Sequence, residues 1–582
     1  MSLFNFFHPL NIFDLLTAVF IILSFNNLGQ FVARRLRLPG LFHFNYWILG
    51  LSLVAFGWWL MPVAVRFNPA AMWLILAGTW LLYSPRLAAI SSWGKHYWLF
   101  GLALVPLLPV LFVKFSLPPY FGDEFYHYLP PAGILYPAAA QKISDLYNFL
   151  PQSLDNIYRL TFVLTRSYVV ARILHFAIVV SALLTVGEWL KNQWGNLIHR
   201  LWQLGSLYFA LNLSSTATSG LVDAATAAVV LLAIIASISG SFLAAVAWWG
   251  IALGFKYSAI VPMLAWGLLT LPLVWQNRRG WPAAVMLFMI TGGYWLARNL
   301  WLTGNPIYPL GNFPAFFSGW TVPIAFLSLP QVARELFLGS WQLAIPLLVS
   351  IPFLLLARYS HKRLIVTMLG VWLIEVITVK FLGGFLVRYY YHWIFLAGII
   401  LLLPLAFPSR FRFVYALILA AVFVPHLANT LNFIYTAEYL PRQQVRYAIG
   451  QVSINDWIDQ SYPQMAAVIK LCGQPGPWRT LHLFDPDLMW FTTATQFKGF
   501  LVNCVPRAHD ISQEGYATPS GLLASSHPCL PDSQLPSLIH DSEVGWELKN
   551  YPHALGQRQY NNYLVCKSRL VLPALYELSL TP

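Results

Sequence analysis

The chain has 582 residues, 58% of them hydrophobic and 10% charged, with a mean hydropathy of +0.62. That balance excludes a soluble globular protein of this length, and repeated apolar runs of about 17 to 25 residues point to membrane-spanning helices. The net charge of +14 comes from residues 1–433, with 25 Lys and Arg against 9 Asp and Glu, whereas residues 434–582 hold 10 against 12. No basic run or nucleic-acid module accompanies the excess, which argues against a nucleic-acid partner. No run alternates with the two-residue period of a membrane barrel, so the fold class is an all-α polytopic bundle.

In chain order, about fourteen spans are predicted. They are 10–32, 42–65, 70–84, 98–115, 162–187, 201–218, 221–238, 241–254, 259–275, 281–301, 341–357, 364–383, 390–407 and 413–433. The first lacks a basic leader and a small-residue cleavage site, and reads as a retained helix. Basic residues gather at alternate ends: Arg34, Arg35 and Arg37; Arg86 and Lys95; Lys191 and Arg200; Arg278 and Arg279; Arg358, Lys362 and Arg363; Arg410 and Arg412. By the positive-inside rule that face is cytoplasmic. The opposite, exoplasmic face then receives the N-terminus, the loop 116–161, the loop 302–340 and the C-terminal region. Segments 124–142 and 144–160 read as helices lying on the membrane surface, the first interrupted by Pro130 and Pro131.

From residue 434 the composition changes to that of a small mixed α/β soluble domain. Ser453 to Asp456 carries a helix-start signal, and 479–485, 499–504 and 562–567 read as strands. All four cysteines, Cys472, Cys504, Cys529 and Cys566, fall here. An even number confined to one extramembrane region suggests disulfides in an oxidising compartment, with every pairing open.

The chemistry-bearing residues stand out by scarcity. FGDEFYHYLPP at 121–131 sets Asp123 beside Glu124 just after a span, and acids held at a bilayer surface are candidate functional groups. On a helix the two side chains diverge by about 100°, so one acts while the other supports. Asp123 is the candidate general base, and the alternative is a helix cap. His127 shares that face. Glu124-x-x-His127 has metal-ligand spacing, but such sites need a second copy and none occurs. A divalent metal is therefore an option, and no cofactor is certain.

Asp223 opens a very apolar helix in GLVDAA, where a buried acid needs a base; Lys256, Arg298 and Arg388 are the candidates. Cations persist on the outer face against the sorting bias: Arg66, Lys114, Lys142, Arg159, Arg166, Arg172, Lys256, Arg298, Arg334, Lys380 and Arg388. Each alone reads as snorkelling, but together they suit a phosphate-bearing ligand. Glu375 and Lys380 within one span offer a transporter relay as an alternative, without the internal repeat that transporters carry. A non-catalytic lipid-binding subunit is a third reading.

The motifs taken in order resemble the GT-C superfamily of polyprenyl-phosphate-sugar-dependent glycosyltransferases, which includes aminoarabinose transferases and protein O-mannosyltransferases. The matching stretches are GDEFYHYLPP, GLVDAA, GIALGFKYSA with Lys256–Tyr257, RNLWLTGNPIYPL at 298–310 with Asn305, and GGFLVRYYYHW with Arg388–Tyr389. The resemblance covers about residues 98–433, after N-terminal helices over residues 1–97 and before the soluble region 434–582. It departs in having extra helices before the acidic loop. It implies transfer of a sugar from a polyprenyl-phosphate donor to a glycan, lipid or protein acceptor on the exoplasmic side of a bacterial inner membrane. Asp123 is then the base, with Glu124 and Asp223 positioning groups. Lys256, Arg298 and Arg388 hold the departing lipid phosphate. His127, Tyr257, Asn305 and Tyr389 complete the substrate site, and 302–340 forms a lid.

Overall fold

A long apolar run in a water-poor surrounding has one local solution, the helix, because its N–H and C=O groups then satisfy one another. The computed structural model describes residues 8–36, 38, 45–66, 68–82, 97–117, 150–165, 167–212, 218, 222–276, 278–307, 370, 392–406, 412–436, 440–453 and 456–457, with short strands between 480 and 578. The chain divides into two units. One comprises Pro9–Ser116 and Asp145–Val445, and the other Met1–His8, Leu117–Ser144 and Arg446–Pro582.

The first unit is helical. Its main helices are α1 (Ile12–Arg35), α2 (Tyr46–Leu60), α3 (Pro69–Leu82), α4 (Tyr97–Ser116), α5 (Ser153–Thr165), α6 (Val169–Trp194), α7 (Asn196–Asn212), α8 (Asp223–Ile238), α9 (Phe242–Phe255), α10 (Ile260–Gln276), α11 (Trp281–Phe288), α12 (Tyr294–Thr303), α13 (His392–Ala406) and α14 (Arg412–Ile434). Among the described residues, α1, α4 and α6 are long and apolar enough to cross a membrane. Apart from α5, the other helices overlap predicted spans in position; α14 has 23 residues and the rest have 17 or fewer. The expected span 341–357 lies outside the described residues, as does 364–383 apart from Gly370.

Local chemistry explains the ends. Asn11 caps α1 through a reciprocal box, its side chain accepting from the Asp14 amide at 3.0 Å while the Asp14 carboxylate accepts from the Asn11 amide at 3.1 Å. Arg34 and Arg35 end the same helix, where its dipole favours cations. The predicted span 162–187 begins later, at Val169. Thr165 and Ser167 cause the shift: the Ser167 amide donates to the Thr165 hydroxyl at 3.1 Å, and the Val169 amide to the Ser167 hydroxyl at 3.2 Å. Such hydroxyls offer the backbone an alternative to the helical bond.

A second correction concerns 144–160. Its described residues belong to α5, which does not lie on a surface: Ser153 through Tyr158 are buried. The mixed polar pattern suits a surface helix, but here the polar residues bond inside the bundle.

Glycines let backbones touch. A Cβ on Gly29 of α1 would collide with the Tyr46 carbonyl oxygen, and one on Gly50 of α2 with that of Phe25. A second crossing joins α9 to a π-helical turn, Met289–Gly293, between α11 and α12. There Gly292 meets the Gly250 carbonyl oxygen, and a Cβ on Gly254 would lie 2.7 Å from the Ser153 hydroxyl of α5. This crossing draws α5, α9 and α12 to one place.

In the second unit the backbone forms short strands: β1 (Thr480–Leu483), β2 (Leu501–Cys504), β3 (Gly521–Ala524), β4 (Ile539–Asp541), β5 (Trp546–Leu548), β6 (Cys566–Leu572) and β7 (Leu575–Leu578). Five of them form a sheet in the order β2-β1-β3-β7-β6, with β1 parallel to β2 and β3. Cys504 lies on β2 and Cys566 on β6, whereas Cys472 and Cys529 lie outside the described residues.

Candidate functional site

Asp223 is the first residue of α8, and its side chain is 1% exposed. The Lys256 ammonium donates to its Oδ1 at 2.6 Å. Lys256 can reach because the backbone breaks there: α9 stops at Phe255, Lys256 is extended, and a 3-10 turn over Tyr257–Ala259 leads into α10. The helix start favours the Asp223 charge, and the pair keeps that charge from being buried alone. Of the bases that the sequence offered to Asp223, Lys256 meets its carboxylate, and Arg388 lies outside the described residues.

The next residue opens a second contact. The Tyr257 hydroxyl accepts from the Asn299 amide at 2.5 Å, and Asn299 is fully buried on α12. Burial pushes the Tyr257 phenol above its ordinary value, while the Asn299 bond and the Arg298 charge oppose that shift. Arg298 lies half-buried, its guanidinium 5.1 Å over the Trp295 ring and 3.3 Å from the Asn299 amide oxygen. A cavity of about 470 Å³ opens beside it, lined by Trp59, Met289, Tyr294, Ala297, Trp301 and Leu302.

The network continues into α5. The Ser153 hydroxyl contacts the Tyr294 hydroxyl at 3.0 Å and accepts from the Trp295 indole at 3.2 Å. Arg159 donates to Asn156 and to Gln152, each at 2.9 Å, with Asp155 buried on the same helix. Burial brings Arg159 down to about 10, helped by the nearby Arg66 charge and opposed by Asp155, so it stays cationic at neutral pH. Among the described residues here, Lys256, Arg298, Arg159 and Arg66 outnumber the carboxylates Asp223 and Asp155. The arrangement can therefore receive an anionic group beside an apolar groove.

The chain matches no protein-family model, no curated protein and no solved structure.

Asp223, Lys256, Tyr257 and Arg298 are thus brought together by hydrogen bonds and neighbouring sequence positions. Asn305 is used locally: its side-chain oxygen accepts from the Ile307 amide at 3.0 Å, shaping the turn that follows Gly304 at φ 72°. Asp123, Glu124, His127, Arg388 and Tyr389 lie outside the described residues, as do Lys142, Arg166, Arg334 and Lys380. The same holds for Glu375 and for most of 302–340. Among the described residues no group of three or more His, Cys, Asp or Glu side chains gathers.

Sequence reasoning passed over Gln152, Ser153, Asp155, Asn156 and Asn299. Asp155 carried the signal already applied to Asp123, since it is one of only 9 acids in residues 1–433. Asn299 stood inside the RNLWLTGNPIYPL stretch beside Arg298. Ser153 carried none, because what singles it out is its place against Gly254.

Proposed function

We propose that the protein is a multi-pass membrane glycosyltransferase of GT-C type. It moves a sugar from a polyprenyl-phosphate donor to a glycan, lipid or protein acceptor on the exoplasmic side of a bacterial inner membrane. The observation that carries the reading is the buried Asp223–Lys256 pair, one residue from the Tyr257–Asn299–Arg298 group. Membrane character is supported by three helices of spanning length. The full fourteen-span topology, the outer location of the site and disulfides among the C-terminal cysteines belong to this proposal.

The chemistry is a single displacement. The acceptor hydroxyl gives its proton to Asp123 as its oxygen bonds to the sugar carbon. The bond from that carbon to the donor phosphate breaks, and its electron pair leaves with the lipid phosphate. Cations are most effective where that charge develops. Lys256 already serves Asp223, so the pair acts chiefly in orientation. Arg298, beside the apolar cavity, is the leading contact for the phosphate, and the cavity suits the near end of an apolar tail.

The test supplies membranes with sugar-labelled polyprenyl phosphates and measures labelled product. Asp123→Asn is expected to abolish transfer while the protein remains inserted. Arg298→Met is expected to lower the rate roughly 10²-fold or more, the usual effect of one lost charge-stabilising donor. Normal transfer by Asp123→Asn removes Asp123 as the base. Normal transfer by Arg298→Met removes the phosphate assignment.

A further inference from the structure

We infer that His175 is a positioning residue for the Asp223–Lys256 pair, because its imidazole caps the start of α8 from a different helix. The first residues of a helix present amides with no partner inside it, and a side chain at the position before the helix commonly accepts from the second or third of them. That position is Val222, which has no acceptor. The third amide, that of Ala225, donates instead to His175 Nε2 at 3.0 Å. His175 belongs to α6 and is 0% exposed, so water does not replace it there.

The bond fixes the chemistry of the ring. A backbone N–H can only donate, so Nε2 must be the unprotonated nitrogen and the proton sits on Nδ1. Tyr158 of α5 flanks the imidazole, with ring centroids 6.5 Å apart. Asp223 lies two residues before Ala225 in the same turn. Holding the Ala225 amide therefore holds the carboxylate that Lys256 reaches, and the imidazole ties α6 to α8.

The role does not depend on which reaction the site performs, so the test uses no donor. Purified full-length protein in detergent is treated with a water-soluble amine-acylating reagent. The rate of modification at Lys256 is read by peptide mass spectrometry. The ion pair holds the ammonium against the Asp223 carboxylate and slows acylation. His175→Phe keeps a ring and deletes the acceptor. Ala225→Pro deletes the donor at a first-turn position where proline is tolerated. Each is expected to raise the rate about 5-fold, the equivalent of the ~1 kcal/mol typical of a lost cap, and the double variant no further. His175→Gln, whose terminal amide oxygen can occupy the Nε2 position, is expected to restore the slow rate. An unchanged rate in His175→Phe, or a His175→Gln rate as fast as that of His175→Phe, overturns the assignment. Failure of the glycosyltransferase reading leaves these rates unaffected.

Discussion

Asp223 has 1% of its side chain exposed and Lys256 21%, so each depends on the other more than on water. Lys256→Met removes the cation at a buried carboxylate and is expected to cost about 3–5 kcal/mol. Adding Asp223→Asn removes the stranded charge and should recover some of that loss. Thermal unfolding of the purified protein in detergent reads both, and a double variant less stable than Lys256→Met alone contradicts the pairing. Tyr257 gives a pH prediction. Its phenol is raised by burial, so the folded state holds the proton more tightly than the unfolded state. The stabilisation is present below the ordinary tyrosine value of about 10 and is lost as pH rises above it. Tyr257→Phe should flatten the alkaline fall of the unfolding midpoint. At this scale much was legible: scarcity and position found Asp223, and Lys256 was among its candidate partners. The choice among those partners was not legible, because it rests on an extended residue between two helices. His175 was silent for a related reason. A lone histidine in an apolar run carries no sign that its acceptor meets another helix.

At the scale of elements, helices were readable and their crossings were not. The predicted span 281–301 reads as one helix, yet it is α11, a π-helical turn and α12. The cause is contact with α9, where Gly292 meets the Gly250 carbonyl oxygen and Thr291 bonds back to Leu287 at 2.7 Å. Apolar periodicity does not register such a turn, because residues on both sides remain apolar. The glycines of GIALG carried a motif, and the structure supplies its physical basis in close packing. Gly29→Ala places a methyl group against the Tyr46 carbonyl oxygen and must separate α1 from α2. A loss of about 1–3 kcal/mol is expected, the range for overpacking. Gly78→Ala on α3 meets nothing within 4 Å and should be neutral or stabilise by about 0.5–1 kcal/mol. Equal unfolding midpoints for the two variants contradict the crossing.

For the whole molecule, hydropathy and charge sorting gave the helical class and a proposed sidedness, whereas α5 departed from its reading. Its sequence is half polar, which on composition suits a membrane surface. Inside the bundle Arg159 is held by Asn156 and Gln152, and Ser153 meets Tyr294 and Trp295 of α12. The sidedness is open to a direct check. In a background without the native cysteines, Asn305→Cys should react with a membrane-impermeant maleimide in intact cells. Arg278→Cys should react only after permeabilisation. The reverse pattern inverts the topology and moves the site to the cytoplasmic side.

The central claim is that the polar group around Asp223 and Lys256 serves sugar transfer from a lipid phosphate. The most direct measurement is release of free polyprenyl phosphate from sugar-charged donor by the purified protein with a membrane extract as acceptor source. The account predicts release by the wild type and at least roughly 10²-fold less by Asp223→Asn/Lys256→Met, a variant without a stranded charge. Release by that folded variant at the wild-type rate would contradict it.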